Sequence, residues 1–308
     1  MKTRNLCVLG GTGFVGRQLL NQLTPGGHRI KVLTRRPERH RDLRVLPTVE
    51  LLEADVHDPV VLRETFRGCD AVINLVGILN EAGQGFAAVH VKLPRKIAQA
   101  CKEAGVRRVL QMSALHADAA NGPSHYLRTK GAGEDLMHAA ATDGLQVTSF
   151  RPSVIFGPRD SFINRFAGLL RLAPYLFPLA CPNSRFAPVY VGDVARAFIV
   201  ALENGATIGN RYDLCGPRVY TLREIVELTA RQFGLRRKIV GLNDGLSRLQ
   251  ARLFEFVPDR PFTLDNYRSL QVDSVCRNDS GLLRLGITPI SLEAILPRYP
   301  GYPVGNRG

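Results

Sequence analysis

What this 308-residue chain lacks narrows its function before any motif is considered. No apolar run is long enough to span a bilayer. The longest, Phe166 to Cys181, is broken by Arg171, Pro174 and Pro178, short of the ~20 clean residues a spanning helix needs. The apolar segment after Met1, Lys2 and Arg4 ends within a few residues at Gly10 and Gly11, too short for a signal-peptide core. A cytoplasmic location is therefore expected, with peripheral attachment to the inner membrane as a further option. Close cysteine pairs are missing too. Cys7, Cys69, Cys101, Cys181, Cys215 and Cys276 stand at least 32 residues apart, which excludes zinc ribbons and dithiol redox motifs and makes free thiols the expectation. The seven histidines are dispersed, no two at ligand spacing on one helix, so no metal site is expected.

Lysine is scarce: only seven of the 41 basic residues are Lys. Genome base composition alone can produce such a skew toward arginine, which weakens the net charge of +14 as a sign of nucleic-acid binding. No aromatic platform for stacked bases accompanies the charge. Ten basic and three acidic residues fall within the first 50, concentrated in Arg35, Arg36, Arg39, Arg41 and Arg44. That cluster calls for a local explanation.

What is present is regular alternation. From Asn5 to about Arg151, short β-rich apolar runs alternate with segments of helical period, the pattern of a parallel sheet covered on both faces. Strands are expected near 6–9, 29–34, 49–53, 71–75, 108–112 and 146–150, and helices near 14–23, 60–67, 86–104 and 124–142. Gly105 and Gly144 stand where helix stops belong. The fold class is thus α/β: a Rossmann-type doubly wound sheet in residues 1–157, followed by a smaller substrate or partner lobe in 158–308, with re-entry into the first domain left open. In the second part, Asp193 is the expected N-cap of a helix reaching Glu203, and Thr221 with Glu224 makes a capping box. The Pro- and Gly-rich tail from Leu282 is expected to wrap the surface.

The segment Gly10-Gly11-Thr12-Gly13-Phe14-Val15-Gly16 follows a strand and opens a helix. Glycines there allow a tight turn and let a diphosphate approach the backbone, while the helix N-terminus supplies N–H donors. Gly10, Thr12, Gly13, Phe14, Val15 and Gly16 are the candidate dinucleotide contacts. The second strand ends in Thr34-Arg35-Arg36 with no carboxylate before Glu38. Arg35 and Arg36 suit a 2′-phosphate, so NADP(H) is favoured over NAD(H), the alternative being a solvated basic loop. Asp55-Val56 and Val76-Gly77 close the third and fourth strands, as cofactor contacts or as ordinary turns. Tyr126 and Lys130 are four apart on one helix face. An ammonium beside a phenol favours phenolate, and bringing the phenol from ~10 to ~7 takes about 4 kcal/mol. The expected catalytic set is Tyr126 as acid/base, Lys130 as its electrostatic partner and ribose contact, and Ser113 either as orienter of the reacting oxygen or as a plain strand-end hydroxyl.

Together with Arg151-Pro152-Ser153-Val154-Ile155-Phe156-Gly157-Pro158 and Val189-Tyr190-Val191-Gly192-Asp193-Val194, these motifs resemble the short-chain dehydrogenase/reductase superfamily in its extended or atypical, epimerase/dehydratase-like branch, over nearly the whole chain. On Gln111 to Leu115, Tyr126 to Lys130, Phe162 to Ala167 and Pro261 to Asn266, the chain also resembles the NADPH-binding accessory subunit of respiratory complex I and its bacterial relatives. The resemblance implies a bound nicotinamide dinucleotide and a cleft between two lobes. Two residues depart from the superfamily pattern. Ser113 is followed by Ala114 and Leu115 rather than further hydroxyls, and His90 stands where an Asn is common. Because the complex I subunit is thought to hold its nucleotide structurally, two functions are carried forward. One is an oxidoreductase or isomerase acting on a small hydroxy, keto or quinone-like substrate. The other is a nucleotide-holding accessory or assembly protein at a membrane-bound respiratory or quinone-related complex. A stripe of Leu246, Leu249, Leu253, Phe254 and Val257 beside Arg248 and Arg252 could rest on lipid or a subunit, although packing on the Rossmann core is expected of it. Oligomeric state is left open.

Overall fold

The computed structural model describes residues 3–80, 85–257 and 261–299. Six parallel strands, β1 (Asn5–Leu9), β2 (Arg29–Thr34), β3 (Val49–Glu53), β4 (Ala71–Asn74), β5 (Arg108–Met112) and β6 (Gln146–Pro152), fall close to the expected runs. β4 and β5 are buried along their whole length, as central strands of a sheet covered on both faces should be. A short strand, β7 (Leu176–Leu179), belongs to the outer lobe. The chain then returns to the main sheet as β8 (Arg211–Leu214), which pairs in parallel with β6. The complete order is β8-β6-β5-β4-β1-β2-β3. The order reverses at β1 and β4, the crevice where doubly wound sheets bind ligands.

Helix α1 (Phe14–Leu23) and, on the other face, α2 (Pro59–Phe66) cover the sheet's first half. The helix expected over 86–104 is α3 (Leu93–Ala104) preceded by a π turn over Ala88–Lys92. Helix α4 (His125–Ala139) starts at Ser124, whose hydroxyl accepts from the Leu127 N–H. Gly105 and Gly144 end their helices with φ of +76° and +86°, as expected of helix stops. Helix α5 (Phe162–Leu172) opens the second lobe, and α6 (Val191–Glu203) returns to pack beside α1 in the Rossmann core. Asp193 lies inside α6 rather than at its N-cap, and its carboxylate accepts from the Ile290 N–H at 2.8 Å. The Thr221–Glu224 capping box does start α7 (Leu222–Gln232).

The outer lobe has its own core, and the tail contributes to it. Leu292, Ile295, Leu296 and Tyr299 are buried there, and Leu282 and Ile287 are buried against the sheet. The expectation of a surface wrap is corrected over residues 282–299; residues 300–308 lie outside the described residues. The prolines and glycines of this segment separate short apolar pieces that each dock, and the Tyr299 hydroxyl donates to Asp160 and accepts from the Gly157 N–H. The uniform free-thiol expectation is also corrected. Cys215, just after β8, is bonded to Cys276 with Cα atoms 6.0 Å apart. A pair 61 residues apart carries no local sequence signal.

A two-stranded parallel ribbon of β7 with β9 (Lys238–Gly241) and helix α8 (Asp244–Phe254) complete the lobe's outer side. The stripe on α8 does not pack on the Rossmann core. Leu246, Leu249, Leu253 and Val257 are exposed, because α8 docks through the opposite side, where Ser247 and Ala251 are buried.

Candidate active site

The first turn, Gly10 to Gly16, is shaped by its glycines. Gly10 has φ +78°, and a Cβ there would stand 3.1 Å from the Leu75 carbonyl carbon, so only glycine meets both demands. The Gly13 N–H donates to the Gly10 carbonyl at 3.1 Å, and a Cβ on Gly16 would overlap that same carbonyl. No side chain caps α1, so its first-turn N–H groups can meet an anion there. Gly10, Gly13, Phe14, Val15 and Gly16 line one end of a cavity of about 910 Å³.

The same cavity is lined by Gly77, Ser113, Tyr126 and Lys130. Lys130 is buried, and its Nζ donates to the Met112 carbonyl at 2.8 Å, tying α4 to the end of β5. A Cβ on Gly77 would stand 3.7 Å from that Nζ and 3.8 Å from His90 Nε2. Burial pulls Lys130 down to about 8, against the opposing charge of Glu134. The Tyr126 phenol is corrected in direction: burial pushes it up to about 12 instead of its neighbour pulling it down. With the ammonium held by a carbonyl and itself destabilised by burial, desolvation governs the phenol. At neutral pH the phenol therefore carries its proton.

The Ser113 hydroxyl donates to Glu134 Oε2 at 3.1 Å. Glu134 is fully buried and also receives Arg151 Nε at 2.8 Å, with Arg211 at 3.7 Å. With its proton so engaged, Ser113 can accept from a substrate hydroxyl, whereas donating to a carbonyl requires release from Glu134. His90 is the other group beyond the expected catalytic set. The π turn, a feature common at functional sites, brings its ring edge-on to Tyr126 with centroids 5.5 Å apart. Its Nε2 accepts from the Ile78 N–H at 3.2 Å, and its Nδ1 meets Thr129 Oγ1 at 3.1 Å. Burial, then Lys130 and His125, pull it down to about 3, so it stands neutral. Sequence reasoning named Tyr126 and Lys130 but missed Glu134, which the next step of the same four-residue spacing could have added; the Arg151 and Arg211 partners carry no such signal, since they arrive on β6 and β8.

Thr12, Arg35, Arg36, Asp55, Val56 and Val76 lie off the cavity lining. The Thr12 carbonyl accepts from Arg17 Nε, and Val76 donates its N–H to Asn74 Oδ1. Asp55 accepts from the His57 N–H in a local turn, while Val56 packs on the core. Arg35 and Arg36 are exposed at the end of β2, and the Arg35 charge is felt at His57. Among the described residues there is no cluster of three His, Cys, Asp or Glu side chains fit for a metal.

Away from the turn, the cavity wall is mostly apolar, with Arg165, Gln250 and Asn266 among its polar members. Phe162, Phe166 and Leu169 come from α5, Phe177 from β7, Phe254 from α8 and Phe262 from the segment beyond. Sequence reasoning did not assemble this wall, because its pieces lie on separate segments of the lobe.

The family model for the NAD dependent epimerase/dehydratase family matches residues 6–215. The chain belongs to this family. Among curated proteins, this epimerase/dehydratase-family chain is 32% identical over 304 residues to the mitochondrial NADH dehydrogenase [ubiquinone] 1 alpha subcomplex subunit 9 of Rattus norvegicus, spanning 93% of the chain and 77% of the relative. It is 33% identical over 249 residues to a ceramide reductase of Caulobacter vibrioides, spanning 78% and 74%. Among solved structures, the dTDP-glucose 4,6-dehydratase of Streptomyces venezuelae with NAD and TYD bound superposes with a TM-score of 0.75 at 21% identity, covering 96% of this chain and 95% of that one. That last likeness concerns the fold.

Proposed function

We propose that this epimerase/dehydratase-family protein is an NADP(H)-dependent oxidoreductase acting on an apolar, lipid-like hydroxy or keto compound. The observation that carries the reading is continuity: one cavity runs from the glycine turn past Tyr126 and Lys130 to the phenylalanine-lined wall. The turn and the N-terminus of α1 would hold the diphosphate, Lys130 the nicotinamide ribose, and Arg35 and Arg36 a 2′-phosphate. Bound nicotinamide supplies or accepts hydride. Tyr126 gives its proton to the carbonyl oxygen in reduction and recovers it in oxidation. The aromatic wall excludes water from the reacting carbon and takes up a long apolar tail. The similarity to a ceramide reductase supports a lipid-like substrate.

The second reading is a nucleotide-holding accessory protein of a respiratory complex, and the similarity to the rat subunit favours it. One experiment separates the two. The purified protein is analysed by mass spectrometry for bound dinucleotide, then assayed for NADPH oxidation with long-chain ketones and quinones. Turnover in wild type that falls ~10²- to 10⁴-fold in Tyr126→Phe supports the enzyme. Retained nucleotide with no turnover across the panel supports the accessory role.

A further inference from the structure

The outer face of the second lobe is apolar, basic and contiguous with the cavity. Leu172, Tyr175 and Phe256 are 82%, 80% and 89% exposed, and Leu176, Leu249 and Leu253 are each about half exposed. Isolated exposed apolar side chains are ordinary; a patch of them is not. These belong to adjoining elements. β7 pairs with β9, the Lys238 N–H donates to the Tyr175 carbonyl at 2.9 Å, and α8 is fastened beside them by Gln250 Nε2 to the Pro178 carbonyl at 3.3 Å. Leu172 and Leu176 also line the cavity, so its mouth opens within the patch. Segments 161–181 and 234–257, which build the face, carry seven basic residues against Asp244 and Glu255 alone. Both acids are engaged, Asp244 by the Tyr267 hydroxyl and Glu255 by the Leu264 N–H.

We propose that this face docks on an anionic lipid bilayer, with the leucine, tyrosine and phenylalanine side chains entering the interface and the surrounding arginines meeting lipid phosphates, so that the cavity mouth opens against the membrane. Arginine stems lie along apolar surface while their heads reach phosphate, and interfacial helices combine these two faces. The charge argues against a second copy of the chain, since two such faces would repel. Entry of substrate from the bilayer rests on the proposed function; the docking itself does not.

The test is sedimentation of the full chain with vesicles of phosphatidylcholine, alone or mixed with phosphatidylglycerol. Wild type is expected to pellet with the mixed vesicles and to be released by salt. The triple variant Leu249→Glu, Leu253→Glu, Phe256→Glu, whose positions lie outside the cavity, is expected to lose about tenfold or more in affinity while keeping its melting temperature and NADPH binding. Wild type left in the supernatant with both vesicle types overturns the proposal, as does a triple variant that pellets like wild type. Binding to native membranes but not to protein-free vesicles also overturns it and marks a protein partner. A self-association that the triple variant abolishes overturns it in favour of a dimer. None of these results depends on turnover, so the docking face and the proposed chemistry fail separately.

Discussion

Gly133 on α4 lies directly against the backbone carbonyl of His90, so close that a Cβ would collide with it. This contact sets the crossing of α4 over the π turn, and with it the approach of His90 to Tyr126. Gly133→Ala is expected to force the two apart and cost about 3 kcal/mol or more, read as a lowered melting temperature or loss of soluble protein. Gly168, in the middle of α5 with nothing near its Cβ position, is the control. Gly168→Ala is expected to raise stability by about 0.5–1 kcal/mol. Equal effects at the two sites would show that packing at Gly133 is not what matters.

The Glu134 carboxylate is held by Ser113, Arg151 and Arg211 with no exposure to solvent. Glu134→Ala would leave a buried gap beside the part-exposed Arg151 and Arg211, the latter still paired with Asp135, an expected loss of about 2–3 kcal/mol in denaturant unfolding. Ser113→Ala removes one bond from a site that keeps its ion pair, and about 1 kcal/mol is expected. A similar loss for both would mean that the arginines contribute little.

These partners show where sequence reading stops. β2, β3 and β5 coincide with the apolar runs that announced them, and the turn from Gly10 to Gly16 and the pair Tyr126 and Lys130 were found because strand end, glycine spacing and helical spacing are local properties. β8 escaped notice: Arg-Tyr-Asp-Leu is four residues with two charges, and only its pairing with β6 makes it a strand. The Phe166, Phe177 and Phe254 wall and the Cys215–Cys276 bridge likewise exist only after distant segments meet. The exposure of the α8 stripe was unreadable for the same reason, since amphipathicity marks an apolar face without saying what covers it.

Stability is expected to fall on acidification through His90. Its imidazole is held neutral, with a value of about 3 against 6.5 for the exposed side chain, chiefly by burial and then by the Lys130 and His125 charges. The unfolded chain therefore binds the proton first. Stability is complete above pH ~6.5 and declines as pH falls toward ~3, by about 3 kcal/mol at pH 4 from this group. His138, pulled down to about 4 by burial and nearby arginines, adds to the slope. Urea unfolding at pH 7 and pH 4 checks this: His90→Asn should lose less stability between the two than wild type does. An identical loss would assign the slope to His138 and other groups.

Cofactor preference is expected to rest on Arg35, exposed just after β2 in a stretch with no acidic residue between Thr34 and Glu38. A guanidinium pairs with a 2′-phosphate but has no comparable partner in a ribose hydroxyl. Arg35→Ala should weaken NADPH binding by about tenfold or more and leave NADH nearly unchanged, as measured by fluorescence titration. Equal weakening of both would remove Arg35 from phosphate recognition.

The Cys215–Cys276 bridge joins the end of β8 to a segment that lines the cavity at Val272 and Ser274, where the Ser274 carbonyl accepts from the Ser153 hydroxyl and the Val275 carbonyl lies 3.1 Å from His116 Nε2. Closing a loop between cysteines 61 residues apart restricts the unfolded chain, an effect of about 2–4 kcal/mol in favour of the fold. Cys276→Ser should therefore unfold at lower denaturant than wild type in oxidising buffer. With excess dithiothreitol the two curves should converge, because wild type then loses the same constraint. Curves that already coincide without reductant would mean that the hydrogen bonds at Ser274 and Val275, rather than the covalent link, hold this wall of the cavity in place.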